Sequence, residues 1–192
     1  KAESLRIGPG NEPENEMGPL ITDDHKNKVI DYIQQGEDAG ATILLDGRDH
    51  EVTSKPGFFL GPTLFDHVNP EMSIYKEEIF GPVLVVLRVK DFNAAIKLAN
   101  EHQFGNGVAI FTNQGSKARE FVHSVEVGMV GINVAIPVPL SFYTFGGWKD
   151  SIFGSSNIYG MDGIRFFTRT KTVTARWVDD DGSINLSMPT VK

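Results

Sequence analysis

The feature that most constrains the fold is the alternation of strand-like and helix-like segments between residues 83 and 133. Residues 83–89 form a continuous apolar run, which is typical of a strand buried on both faces. A helix capped by Asp91 follows, and then a strand at 107–112, a helix at 116–125 and a strand at 128–133. This order predicts an α/β fold: an open, mostly parallel twisted sheet with right-handed crossovers and helices on both faces.

A helix is also predicted before this region. Thr22 or Asp23 is a candidate N-cap, apolar residues then recur at helical spacing, and Gly40 is a plausible end. Gly36 lies inside this segment, and a glycine costs a helix roughly 1 kcal/mol relative to alanine. Gly36 therefore disfavours the last turn of this helix.

Three other segments complete the outline of the fold. Residues 41–47 (ATILLDG) predict a short strand ending in an Asp-Gly turn, and residues 57–68, interrupted by Gly-Pro, predict an irregular or edge strand. Residues 134–166 have weak periodicity and many aromatic side chains, and long connections of this kind are usually functional. Since ligands of parallel α/β sheets bind beyond the carboxyl ends of strands, we expect chemistry after residue 133.

Composition excludes several classes of function. The formal net charge of −7 and the absence of a basic stripe disfavour binding to nucleic acids or anionic membranes. No apolar run approaches the ~18 residues that a membrane-spanning helix needs. The sequence has no cysteine, and its five histidines lack the close spacing typical of metal ligands. We therefore expect no metal site and no cysteine nucleophile within these residues.

Several separated motifs carry a family resemblance. They are KEEIFGPVL (76–84), HQFGNGVAIFT (102–112), VEVGMVGIN (125–133), FGGWKDS (145–151) and TRTKTVTARW (168–177). In this order they resemble the aldehyde dehydrogenase superfamily. Within it, the run GINVAIPVPLSFYTFGGWKDSIFGSSNIYG, together with MGPLIT and ILLDGR, is similar to the acylating methylmalonate-semialdehyde dehydrogenases.

The resemblance implies that Glu78 and Phe80 bind the cofactor NAD. The Glu78 carboxylate would accept hydrogen bonds from the two hydroxyls of the nicotinamide ribose, since its two oxygens suit a vicinal diol. Phe80 would pack beside the ribose or the nicotinamide ring. Without the resemblance, the same residues would be interpreted as a solvated strand end and a core phenylalanine. Glu77 has no such role to inherit, and we expect it to be structural or exposed.

Two further residues are candidates for substrate binding. The resemblance implies that the loop after Asn133 lies at the mouth of a substrate tunnel, although capping of the strand end explains an asparagine there equally well. Phe145 would line the acyl pocket, and a core role is as good an explanation for any one aromatic residue in this stretch. No catalytic residue of the superfamily is expected in this chain.

The resemblance also implies a reaction. A cysteine thiolate attacks the aldehyde, hydride passes to NAD, and coenzyme A takes the acyl group as carbon dioxide is lost. The cysteine and the dinucleotide-binding domain precede the matched region, so we expect this chain to be the C-terminal part of such an enzyme and inactive alone. Two alternatives are a hydrolytic NAD(P)-dependent aldehyde dehydrogenase and a non-catalytic binding or assembly module on the same scaffold.

The expected organisation follows from these assignments. Residues 1–166 form a partial catalytic domain, residues 167–178 a strand that pairs subunits, and residues 179–192 a mobile tail. We expect a homo-oligomer, a dimer or tetramer of the parent enzyme, that acts on a small aldehyde. We expect it in the cytoplasm, or in the mitochondrial matrix if the source is eukaryotic.

Overall fold

The structure is a computed structural model that describes residues 1–175. The helices are α1 (Asp23–Asp38), α2 (Ser73–Lys76), α3 (Phe92–Glu101), α4 (Gly115–Ser124) and α5 (Gly160–Phe167). The strands are β1 (Thr42–Leu45), β2 (Thr63–Asp66), β3 (Val83–Val85), β4 (Phe104–Gly105), β5 (Gly107–Ile110), β6 (Met129–Ile132) and β7 (Trp148–Lys149). Two 3₁₀ turns, Gly47–Asp49 and Glu51–Ser54, lie between β1 and β2. The α/β class is confirmed.

Helix α1 begins and ends where the sequence predicts. The hydroxyl of Thr22 accepts a hydrogen bond of 3.1 Å from the backbone N–H of His25, which satisfies one of the free donors of the first turn. Gly40 follows the helix with a φ of 88°, a left-handed conformation that glycine adopts without strain. Gly36 is helical and buried, so the helix continues through it.

Strands β1, β2 and β3 form one sheet in that order. β1 pairs with β2 antiparallel, and β2 pairs with β3 parallel. β2 is therefore the central strand, so the alternative of an edge strand was wrong. The alternative of an irregular strand agrees with the structure, because the pairing of β2 with β1 shifts in register between Ile43 and Leu45. Pro62, which cannot donate a hydrogen bond, precedes the paired residues, and the ladder begins where Thr63 N–H donates to the Pro82 carbonyl.

The apolar run at 83–89 does not form a strand buried on both faces. Only Val83–Val85 is a strand, and the side chain between them, Leu84, is 65% exposed. Within the described residues β3 has β2 as its one neighbour, so it is an edge strand of its sheet. The composition of β3 resembles that of a buried strand, but the described residues cover only one of its faces and leave the face with Leu84 exposed.

The alternation after residue 104 is confirmed as a parallel crossover. β5 pairs with β6 in parallel, from Gly107 opposite Met129 to Ile110 opposite Ile132, and α4 connects the two strands. A second pair was not predicted: β4 and β7 are antiparallel, with Phe104 opposite Lys149. This short ladder carries residues 148–151 back beside the start of β5.

Buried apolar side chains form two cores. The N-terminal core contains Val29, Ile33, Ala41, Leu60, Phe65, Val68, Met72, Ile74 and Ile79. The C-terminal core is smaller and contains Phe121, Val125 and Val127, against which side chains of α3, β5 and β6 pack. α1 contributes Val29 and Ile33 to the N-terminal core, and β2 contributes Phe65.

The long segment after residue 133 is not structureless, because it contains β7 and α5. Residues 168–175 are exposed and form no strand with other described residues, whereas 176–178 of the predicted strand and the predicted tail at 179–192 lie outside the described residues. In the described part of the chain, no helix combines the length and hydropathy needed to cross a bilayer.

Candidate functional site

The loop between α2 and β3 carries both predicted cofactor residues. Ile79 is buried in the N-terminal core, whereas its neighbours Glu78 and Phe80 are exposed. Phe80 is 77% exposed and has a φ of 56°, a left-handed conformation that is unusual for a bulky residue. One buried side chain thus anchors the loop and leaves the residues on both sides directed outward.

The N-terminal side of this loop is held by residues that follow α3. The ring of His102 accepts a hydrogen bond at Nδ1 from Phe104 N–H (3.1 Å), so its proton lies on Nε2, which donates to the Tyr75 carbonyl (3.0 Å). The amide of Gln103 donates to the Lys76 carbonyl at 3.0 Å. These two bonds fix the backbone immediately before the glutamates.

The C-terminal side of the loop is held by α1. Nε2 of His25 lies 2.8 Å from the Phe80 carbonyl oxygen. Gly81 lies directly on Val29: a Cβ atom at position 81 would be 2.7 Å from a methyl carbon of Val29, closer than side chains tolerate. The turn into β3 therefore requires glycine here.

Glu78 and Phe145 line the same cleft, of about 480 Å³. Its other lining residues are Glu77, His102, Phe104, Asn106, Asp150 and Ser151. The β4–β7 ladder brings Phe145 to the cleft, and Lys149 stabilises that ladder because its ammonium donates to the carbonyls of Asn100 and His102 at 2.6 and 3.1 Å. A predicted cofactor residue and a predicted substrate residue thus share one concavity.

The position of the cleft differs from the expected one. Several of its lining residues, including Glu78 and Asn106, lie shortly before the first residues of β3 and β5. We expected chemistry beyond the carboxyl end of the strand that ends at residue 133. The reason is the return of the chain: after leaving β6, residues 134–147 lead back to β7, which pairs beside β4.

The Glu78 carboxylate is free to accept hydrogen bonds. Among residues 1–175 it has no ion pair and no side-chain hydrogen bond, and its neighbour Glu77 has none either. An ionised carboxylate offers about four acceptor positions, which is enough for two hydroxyl groups. The carboxylate therefore fits the ribose diol that the sequence resemblance implies.

Phe80 lies in a different concavity. Its neighbours there are Met17, Gly18, Pro19, Leu20, Leu60, Gly81 and Pro82, around a cleft of about 530 Å³. The two predicted cofactor residues are separated by one residue, the buried Ile79, and they line different clefts. Their assignment to one nucleotide stays a prediction.

Asn133 lines neither of these clefts. Its Oδ1 accepts a hydrogen bond from Thr112 N–H (2.9 Å) and its Nδ2 donates to the Thr112 carbonyl (3.0 Å). Its φ of 57° is one that asparagine tolerates better than most residues. The side chain ties together the ends of β5 and β6, which is the capping alternative, and its role in substrate binding stays a prediction.

Sequence reasoning missed the residues that hold the loop. His25, His102 and Gln103 were not candidates, because each bonds a backbone carbonyl 27 or 55 residues away. Nothing in the local pattern around a histidine or glutamine signals such a partner. No cluster of histidine or acidic residues in the described part of the chain could hold a metal ion.

The chain is similar to known proteins over most of its length. The sequence profile described as "Aldehyde dehydrogenase family" matches residues 1–173. A malonate-semialdehyde dehydrogenase of Pseudomonas aeruginosa is 52% identical over 175 residues, which are 91% of this chain and 35% of that protein. A malonate-semialdehyde dehydrogenase of Halalkalibacterium halodurans is 48% identical over 173 residues, 90% of this chain and 36% of its own length.

Solved structures give the same result. The methylmalonate-semialdehyde dehydrogenase of Oceanimonas doudoroffii superposes with a TM-score of 0.90 at 50% identity, over 93% of this chain and 37% of that chain. An aldehyde dehydrogenase of Mycobacterium tuberculosis, complexed with NAD+, superposes with a TM-score of 0.79 at 32% identity, over 88% of this chain and 34% of its own. The chain spans little more than a third of the length of these relatives, and it belongs to the aldehyde dehydrogenase family.

Proposed function

We propose that this chain is the part of an NAD-dependent semialdehyde dehydrogenase that contacts the nicotinamide ribose and borders the acyl group. The observation that carries the proposal is the cleft lined by both Glu78 and Phe145. A free carboxylate suits a sugar diol, and an aromatic side chain suits the carbon skeleton of a small aldehyde. The relatives support the assignment, since one is an aldehyde dehydrogenase complexed with NAD+.

The residues of this chain bind and orient; they do not supply a nucleophile. Bound NAD would supply the hydride acceptor for the oxidation. Glu78 accepts hydrogen bonds from the ribose hydroxyls, and each bond gains from the charge of the carboxylate. The bonds of His102 and Gln103 to the preceding backbone keep this carboxylate at the cleft. Phe80 limits the positions open to the nucleotide.

The proposed parent reaction is the oxidation of malonate or methylmalonate semialdehyde to acetyl-CoA or propionyl-CoA, with loss of carbon dioxide. The names of the similar relatives support this substrate class. A cysteine from a part of the parent that precedes this chain would carry the acyl group as a thioester. Since these 192 residues contain no cysteine, we expect the chain alone to produce no NADH from semialdehyde, NAD and coenzyme A.

The cofactor role is tested in the parent polypeptide by Glu78→Gln. Loss of charge-assisted hydrogen bonds should raise the Kd for NAD by about tenfold or more, measured by calorimetric titration. Glu77→Gln is the matched control, because Glu77 lines the same cleft and has no proposed contact. Equal NAD affinities in the two variants would contradict the proposal.

The acyl acceptor is tested by product analysis. Incubation of the parent enzyme with semialdehyde and NAD, with and without coenzyme A, should give acyl-CoA only when the thiol is present. A free carboxylic acid formed at the same rate without coenzyme A would instead indicate the hydrolytic reaction.

We also propose that residues 167–178 pair with a second subunit of a homo-oligomer. The support is that residues 168–175 are exposed and form no strand within the described part of the chain. Threonines and basic residues are common in strands at sheet edges. Deletion of 168–192 from the parent should lower its mass in light scattering to that of a monomer, and an unchanged mass would contradict this pairing.

A further inference from the structure

The loop that carries Glu78 is held at its C-terminal end by a side chain with no other evident task. Nε2 of His25 lies 2.8 Å from the Phe80 carbonyl oxygen, although the two residues are 55 positions apart in the chain. A carbonyl oxygen only accepts hydrogen bonds, so Nε2 of His25 carries the proton and donates it. His25 is partly buried, whereas Phe80, whose carbonyl accepts this hydrogen bond, is exposed.

The position of His25 on α1 explains how it reaches the loop. His25 and Val29 are four residues apart, so they lie on one face of the helix. Gly81 packs on Val29 without room for a Cβ atom, and the carbonyl of the preceding residue meets His25. The first turn itself is fixed, because the Thr22 hydroxyl accepts the His25 N–H. Residues on two consecutive turns of α1, His25 and Val29, thus contact two consecutive residues of the loop, Phe80 and Gly81.

These contacts hold a residue with an unfavourable backbone conformation, because Phe80 is left-handed. A φ of 56° is costly for a residue with a bulky side chain, and such conformations persist only where the surroundings impose them. Ile79, buried in the core, fixes the chain before Phe80, and Gly81 fixes it after. The His25 hydrogen bond sets the plane of the peptide between residues 80 and 81, so the chain is held on the C-terminal side of Phe80 as well.

We propose that His25 is a positioning residue for the nucleotide: it acts through the Phe80 carbonyl to hold the loop in the conformation that presents Glu78 to the ribose. This inference rests on the proposed cofactor role of Glu78. His25 itself touches neither NAD nor substrate, so its loss should weaken NAD binding while the residues that perform the chemistry stay in place.

The test uses four variants of the parent enzyme and measures the Kd for NAD, kcat and KM. His25→Ala removes the donor, and we expect the Kd and KM for NAD to rise about fivefold, the loss of one hydrogen bond, with a smaller change in kcat. His25→Gln keeps an N–H donor at the same reach as Nε2 and should restore binding. His123→Ala, an exposed histidine on α4, should leave the Kd unchanged. Glu78→Ala reports the cofactor contact independently.

The outcomes separate the two proposals. If Glu78→Ala weakens NAD binding while His25→Ala behaves as His123→Ala does, the positioning role is refuted and the proposed function stands. If Glu78→Ala leaves binding unchanged, both proposals fail. Where His25→Ala does not fold, His25→Asn replaces it: its amide is too short to reach the carbonyl, and equal NAD affinities of His25→Asn and His25→Gln would refute the role.

Discussion

The two cores of the molecule differ in how completely they are covered. In the N-terminal core, Phe65 is fully buried between α1 and the strands, as are Val29 and Ile33. Beyond β6, by contrast, large apolar side chains are exposed, including Ile136, Leu140, Phe142, Phe153, Ile158 and Phe167. Apolar side chains are therefore buried only where the described chain also supplies the helices or strands that pack against them. The following variants test that contrast, from the largest expected effect to the smallest.

The sharpest test compares two identical substitutions. Phe65→Ala empties a fully buried site and should lower the free energy of unfolding by about 3–5 kcal/mol, because it removes apolar contacts and leaves a cavity. Phe153 is 100% exposed, and Phe153→Ala should change the free energy of unfolding by less than about 0.5 kcal/mol. Urea unfolding followed by circular dichroism measures both. Similar losses would show that the exposed region is packed after all.

A second test concerns the ion pair between Arg88 and Asp66, the last residue of β2. Nε and a terminal nitrogen of Arg88 donate to the Asp66 carboxylate at 2.6–3.2 Å. The hydrogen bonds from Arg88, together with one from His67 N–H, lower the pKa of Asp66 from 3.8 to about 2. Since the folded-state pKa lies below the unfolded value, the ion pair stabilises the fold fully above pH 4, and this contribution disappears as the pH falls toward 2.

Asp66→Asn should therefore be less stable than the wild type at pH 7, and the difference should shrink as the pH falls from about 4 to 2. Urea unfolding at a series of pH values measures it. Asp31→Asn, at an exposed site on α1, is the control and should follow the wild-type curve. A difference between Asp66→Asn and wild type that stays constant down to pH 2 would rule out the lowered pKa as its cause.

A third test asks how tightly α1 is packed. A Cβ atom at Gly36 would lie 2.7 Å from Cδ1 of Ile74 and 3.0 Å from Cζ of Phe65. Gly36→Ala should lower the free energy of unfolding by about 1 kcal/mol, because the cost of overpacking exceeds the gain in helix propensity. Gly10→Ala, which meets nothing within 4 Å, is the control. A stabilised Gly36→Ala variant would mean that the core can adjust.

The smallest expected effect concerns helix capping. Thr22 caps α1 through its side chain, whereas Gln114 precedes α4 without a side-chain cap. Gln114 already has the extended backbone of an N-cap residue. Gln114→Asp should raise the free energy of unfolding by about 0.5–1 kcal/mol, while Gln114→Ala should leave it nearly unchanged. Equal stabilities of the two variants would indicate that α4 contributes little to the measured unfolding.

Much of the fold could be predicted from local sequence because its causes are local. The ends of α1 follow from the hydroxyl of Thr22 and the left-handed Gly40, and α3 begins at Asp91, whose carboxylate accepts the Ala94 N–H. The β5–α4–β6 crossover follows from the alternation of patterns. Strand neighbours were harder to predict: the central position of β2 and the exposed face of β3 depend on which distant strands are present.

The candidate site shows the same division. The sequence resemblance selected Glu78 and Phe145, and the structure brings both to one cleft. It also selected Phe80 and Asn133, whose contacts lie elsewhere. Helix α5 was not predicted, since its two glycines, Gly160 and Gly163, are poor helix formers and only the structure shows its packing.

The sequence by itself determined the family, the α/β class, the ends of α1 and the identity of the carboxylate proposed to bind the ribose, since each depends on short motifs or neighbouring residues. Only the tertiary structure decided which side chains hold that carboxylate in place. The carbonyls of Tyr75 and Phe80 meet His102 and His25 across 27 and 55 residues. Hydrogen bonds over such separations exist only after the helices and strands have packed, so no local pattern encodes them.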